Sequence, residues 1–148
     1  PVCSSAASDV YKRQDIPFAH RQPFHEGHCS KIHGHNWSVT IEFQATDLDK
    51  NGFVVDFGKL KYIKQFIDEQ LDHACLLSSE DVQAKELAES QYKNLFRICW
   101  VENASCEGIA VFLYEEISRL VREHEGERVS IRSIKLHEDE KNFVRYTP

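Results

Sequence analysis

The chain predicts an α+β domain, an antiparallel sheet covered by two amphipathic helices. Three observations carry that expectation: one stretch alternates in polarity, two repeat apolar residues at helical spacing, and the other apolar runs are short and bounded by turn residues. Residues 36–45 supply the alternation. Trp37, Val39, Ile41, Phe43 and Ala45 share one face while Ser38, Thr40, Glu42 and Gln44 share the other, the period of a half-buried strand. Residues 47–52 read as a turn signed by Asn51-Gly52, and residues 53–55 as a short second run. Asp56 then suits a helix N-cap, after which Leu60, Ile63, Ile67 and Leu71 recur on one side with Lys59, Lys61, Lys64 and Asp68 on the wet side. Residues 78–92 are polar and acidic, a loop with a short helix. Residues 95–101 read as a strand with Phe96, Ile98 and Trp100 on one side. Residues 106–123 form the second helix, burying Ile109, Phe112, Leu113, Ile117, Leu120 and Val121, and Gly126 stops it. Residues 129–138 and 143–147 close the sheet.

The 148 residues fit one domain, and 41% hydrophobic with 28% charged residues is a globular composition. With 18 basic and 24 acidic residues the formal charge is −6, which argues against nucleic acid as a partner because phosphate backbones need a basic face. No apolar run approaches the roughly 18 residues that span a bilayer, so no membrane association is expected. Five cysteines, an odd count without paired spacing, suggest a reducing compartment and a cytoplasmic location. Residues 1–14, PVCSSAASDVYKRQ, show neither helical nor alternating periodicity and resemble a read-through peptide translated from sequencing-adapter DNA. They are expected to be a foreign tail, the alternative being a natural flexible one. A single domain over residues 15–148, with its first strand truncated, would then remain.

Chemistry concentrates in the histidines. His33-Gly34-His35 directly precedes the alternating strand, and in an extended backbone residues i and i+2 point the same way. Both imidazoles can reach one ion, with Gly34 leaving room for close approach. His20 lies 13 residues earlier. Three neutral imidazoles around an open fourth position make a catalytic zinc arrangement, although His-x-His before a strand also occurs as plain surface polarity. His25 and His28 are competing third ligands. Cys29 stands four residues before His33; beside zinc its thiol would ionise readily, as nucleophile, general base or fourth ligand. Cys75 and Cys99 read as inert buried thiols. Asp72-His73, at the end of the first helix, pairs a carboxylate with an imidazole for proton transfer, unless the histidine simply meets the helix dipole.

Taken together, FAHRQPFHEGHCSKIHGHNW, GFVVDFGKLK, LDHACLL, SCEGIA and LHEDEKNFVRY are similar to the 6-pyruvoyltetrahydropterin synthase / 6-carboxytetrahydropterin synthase family, over residues 18–146 and in the family's order. The spacing of Cys29 from His33 resembles the bacterial 6-carboxytetrahydropterin synthases; the animal pyruvoyl enzymes have a longer gap. The resemblance implies the tunnelling fold (T-fold), in which sheets of several subunits join into a barrel, as a trimer or a homohexamer of two stacked trimers with shared active sites. It implies Zn2+ on His20, His33 and His35, and Cys29 as the catalytic thiolate. Asp72 and His73 become a proton-relay dyad that reaches in from a neighbouring subunit. Glu138 would hold the pterin's amino-pyrimidinone edge, helped by Glu107 and Ser105; two adjacent N–H donors suit a carboxylate. Otherwise Glu107 is an acid in a helix's first turn and Glu138 a solvent-facing strand residue. The implied reaction takes 7,8-dihydroneopterin triphosphate to 6-carboxy-5,6,7,8-tetrahydropterin with loss of acetaldehyde and triphosphate, a step toward queuosine and other 7-deazapurines. The alternatives are the triphosphate-eliminating pyruvoyl synthase and a non-catalytic zinc- or pterin-binding paralogue. The family's Pro-Thr-x-Glu-Asn reads Ala104-Ser105-Cys106-Glu107-Gly108 here, and Gly108 is expected to remove a side-chain contact. Arg21 and Lys31 are the cations expected for the triphosphate.

Overall fold

In a computed structural model that describes residues 7–148, six strands and three α-helices follow one another as β1 (Ala7–His20), β2 (His33–Ala45), α1 (Lys61–Gln70), β3 (Cys75–Ser78), α2 (Val82–Glu89), β4 (Ile98–Val101), α3 (Cys106–Glu125), β5 (Val129–His137) and β6 (Phe143–Tyr146). The sheet order is β4-β3-β1-β2-β5-β6. Strands β1, β2, β5 and β6 pair antiparallel, as expected. Beyond β1 the sheet continues in parallel through β3 and β4, so it is mixed.

The alternation of β2 carries through to the core, where Trp37, Val39, Ile41 and Phe43 are fully buried. Ile63, Ile67 and Leu71 from the first helical region join them, with Ile109, Leu113, Ile117 and Val121 from α3. Asp56 accepts a bond from Gly58 N and caps a 3-10 turn that leads into α1. Ser105 caps α3 by accepting from Gly108 N, and Gly126, at φ 72°, ends it. That left-handed conformation suits a residue without Cβ.

Several elements differ from expectation. Residues 53–55 form no strand, yet Val54 and Val55 are buried: they fill the core from a bend without joining a ladder. β3 escapes sequence reading because all four of its residues are buried, which erases alternation. Asp81 caps α2, a regular eight-residue helix in the region read as loop with a short helix. On β4 the buried residues are Cys99 and Val101, whereas Trp100 on the other side is exposed. Ile98 and Phe96 instead pack on a small satellite core around Cys75, Leu77 and Ala84.

Where the sequence suggested a shortened first strand, β1 is fourteen residues long. Its outer half pairs residue by residue with β2, Ala7 opposite Ala45 and Arg13 opposite Val39. A register break follows between Arg13 and Ile16, with Asp15 at φ 56°, and full burial begins only at Ile16. The proposal that residues 1–14 are foreign concerns their origin; residues 7–14 occupy a strand. Residues 1–6, with Cys3, lie outside the described residues.

Candidate metal centre

The antiparallel pairing of β1 with β2 builds the site. His20 sits directly opposite His33, and Phe18 opposite His35. His33, His35 and Trp37 share one face by the two-residue period of β2. The ring centroids lie 4.6 Å apart for His20–His33, 5.1 Å for His33–His35 and 5.4 Å for His20–His35. Trp37 lies beside them: it stacks on Phe18 at 4.4 Å and meets His20 and His35 in T-shaped contacts. Its Nε1 donates to the Phe18 carbonyl at 3.0 Å, so the indole has no free donor in the core.

Two carbonyls set the histidine tautomers. Nδ1 of His20 donates to Ala104 O and Nδ1 of His33 to Lys31 O, each at 2.7 Å. A carbonyl only accepts, so each Nδ1 carries the proton and each Nε2 keeps its lone pair, as metal-ligating histidines do. One ligand atom from each of His20, His33, His35 and Glu138 lies within 4.8 Å of the others, a group that could hold a metal ion. Glu138 Oε1 is 2.9 Å from His35 Nε2 and 3.4 Å from His20 Nε2, but neither approach has hydrogen-bond geometry. Two buried nitrogens beside a carboxylate, left without a donor, fit a cation.

Burial lowers the pKa of His20 from 6.5, opposed by the bond to Ala104 O and aided by the neighbouring imidazoles. An unfolded chain therefore takes up a proton that the folded one resists. Stability is present above pH 6.5 and is lost as pH falls through the depressed folded value. Melting of the metal-free protein is expected to weaken steadily as pH drops from 7 toward 5; a flat melting temperature over that range would contradict it.

His25 and His28 are exposed and outside the group, which leaves His20 as the third imidazole. The pairing register decides between them, and the 13-residue spacing alone does not. Cys29 lies on a 3-10 turn at His28–Ser30, partly exposed, and its thiol is outside the group too. Burial pushes Cys75 and Cys99 up to about 11, in keeping with inert thiols. Asp72 Oδ1 is 2.5 Å from His73 Nδ1, so the dyad is formed. His73 has φ 58° and its side chain is 82% exposed, at the rim of an open cleft that also holds His35 and Asn36. Glu107 and Glu138 line one cavity of about 310 Å³ with Lys141 and Asn142. Ser105 faces a different cavity, of about 370 Å³, bounded by His25, Ser78 and Glu102. Arg21 is not free for a phosphate: its Nε lies 3.0 Å from Asp81, a carboxylate only 2% exposed, and its Nη2 donates to Gln83. Neutralising that buried charge holds the guanidinium in place. A Cβ at Gly34 would come no closer than 3.5 Å to Phe18 O, so the sheet itself does not require this glycine.

Residues 9–148 match the family model described as 6-pyruvoyl tetrahydropterin synthase. The chain belongs to this family. A 6-carboxy-5,6,7,8-tetrahydropterin synthase of Rickettsia felis is 32% identical over 137 residues, 90% of this chain and 95% of the relative. A protein of that name from Haemophilus influenzae is 29% identical over 143 residues, 93% and 96% of the two chains. A solved structure of an uncharacterized Wolinella succinogenes protein superposes with TM-score 0.81 at 21% identity, covering 97% of this chain and 99% of that one. The 6-pyruvoyl tetrahydropterin synthase of Plasmodium vivax gives TM-score 0.67 at 19% identity, covering 98% and 99%. These neighbours carry the T-fold, and this member of the 6-pyruvoyl tetrahydropterin synthase family has it as well. No helix among the described residues is long and apolar enough to cross a membrane.

Proposed function

We propose that this protein is a Zn2+-dependent 6-carboxy-5,6,7,8-tetrahydropterin synthase, a carbon–carbon lyase acting on 7,8-dihydroneopterin triphosphate in 7-deazapurine (queuosine) biosynthesis. The convergence of His20, His33 and His35 beside Glu138 carries the reading, and relatives of that name along nearly the whole chain support it. His20, His33 and His35 would hold the ion, which when bound supplies Lewis-acid polarisation of the substrate's side-chain oxygens. Cys29 would take a proton from a carbon of the substrate's side chain. His73, oriented by Asp72, supplies a proton of its own, triphosphate leaves by elimination, and a retro-aldol-type cleavage that consumes one water releases acetaldehyde. The exposure of the His73 ring supports delivery of the dyad to a neighbouring subunit's site in a trimer or hexamer. Glu138 and Glu107, facing one cavity, would bind the pterin's N–H edge. Ser105 Oγ accepts from Gly108 N, which leaves its own proton to donate. The cytoplasmic assignment rests on the cysteine usage.

Mass analysis of products from the zinc-loaded protein and dihydroneopterin triphosphate tests the proposal. A carboxypterin with acetaldehyde supports it. A pyruvoyl product moves the protein to the 6-pyruvoyl synthase reading, and binding without turnover to a non-catalytic paralogue.

Glu138 has two candidate roles, because its carboxylate touches both the imidazole group and the cavity. Removing a charge-assisted bond costs about 1.5–3 kcal/mol. Glu138→Ala is therefore expected to weaken pterin binding roughly ten- to a hundredfold while zinc is retained. Calorimetry that found zinc lost and pterin affinity unchanged would make Glu138 a fourth ligand instead.

A further inference from the structure

Gly108, at the third position of α3, faces the loop that precedes the helix. A Cβ built there would lie 2.3 Å from Asn103 O, 2.6 Å from Asn103 Cβ and 2.9 Å from Asn103 C. Two of these atoms are backbone, so rotating a side chain relieves nothing; the loop itself would have to move. The loop is otherwise tightly held. Asn103 Oδ1 accepts from Ser105 N at 2.8 Å, Ser105 Oγ accepts from Gly108 N at 3.0 Å, and Ser78 Oγ donates to Glu102 O at 2.7 Å. Between Asn103 and Ser105 lies Ala104, 2% exposed, whose carbonyl accepts from His20 Nδ1 at 2.7 Å. In this chain the missing side chain at 108 leaves room for the Asn103 backbone to pack against α3, one residue before the Ala104 carbonyl that holds the His20 ring. The sequence suggested that Gly108 merely deletes a contact; its close packing on Asn103 gives it a structural task.

We propose that Gly108 is a positioning residue for the metal centre, acting through the Asn103–Ala104 backbone on the tautomer and orientation of His20. The proposal rests on the metal-binding reading above. Loss of an outer-sphere partner of a metal-bound histidine lowers metal affinity by roughly 10–100-fold. An alanine inside a helix ordinarily stabilises relative to glycine, so weakened metal binding in Gly108→Ala would run against helix propensity.

The test compares the full-length wild type with Gly108→Ala and Ser105→Ala by nitrogen-15 NMR of the metal-free His20 ring and by Co2+ titration. Circular dichroism monitors the fold. Ser105→Ala frees the loop without adding an atom, so it serves if Gly108→Ala fails to fold. Wild type is expected to show a fixed Nδ1–H tautomer at His20. Gly108→Ala should lose that signature and bind Co2+ roughly 10–100-fold more weakly, with a smaller effect in Ser105→Ala. A wild-type tautomer and wild-type Co2+ affinity in the folded variants would overturn the proposal. If wild type itself fails to bind Co2+, the metal reading falls, and the His20 tautomer alone then decides the positioning role.

Discussion

His33→Ala is expected to abolish metal binding and turnover together. His33, like His35, is only partly buried, and substitutions near the surface usually change stability by no more than about 0.5 kcal/mol. His20, 1% exposed, would confound metal loss with unfolding. Even outer-sphere partners of a bound metal are worth 10–100-fold in affinity, so deleting a direct ligand should cost at least about 100-fold. Loss of the polarising ion should lower kcat by several kcal/mol in barrier terms, roughly two orders of magnitude or more. Zinc content by atomic emission, with melting curves as the control for folding, checks this. A variant that keeps one zinc per chain would show that the histidine group is not the metal centre.

Cys29→Ala should do the reverse, with zinc content unchanged and turnover lost. The thiol lies outside the converging histidine and glutamate atoms, on a turn whose backbone is tied down by Gln22 N donating to Cys29 O at 2.7 Å. Deleting the side chain leaves that bond in place, so the loop and the ligands should persist. Removing a positioned proton acceptor typically costs 10²–10⁴-fold, about 3–5 kcal/mol. Steady-state kinetics beside zinc analysis separates the outcomes. Loss of zinc would recast Cys29 as a ligand, and full activity would favour hydrolytic chemistry by a zinc-activated water, which needs no thiolate.

Much of the site was legible from local sequence. His33 and His35 are two residues apart in a strand whose period is two, and that alone places both rings on one side. Asp72 and His73 are adjacent, and their contact is nearly as local. The third imidazole was not legible: His20, His25 and His28 all stand within reach along the chain, and only the β1–β2 register selects His20. Nor was the approach of Glu138 to His35 visible, since it comes from the end of β5, on the far side of α3 in sequence. The tie between Gly108, Asn103 and His20 crosses 84 residues at its Ala104 link, and no periodicity reports it.

The same division runs through the fold. Polarity patterns determine what each segment buries, so β2 and the two long helices could be read where they stand. They fade where an element is buried on every side, as in the four residues of β3, or where its outer half has no fully buried residue, as in β1 before Ile16. They also mislead where an apolar side chain at a sheet edge faces outward, as Trp100 does on β4. Strand order, register, and the carbonyls that face Nδ1 of His20 and His33 follow from tertiary contacts. Hydrogen-bond partners distant in sequence leave no periodic trace, because each segment carries only its own pattern of burial and not the identity of the segment it will meet.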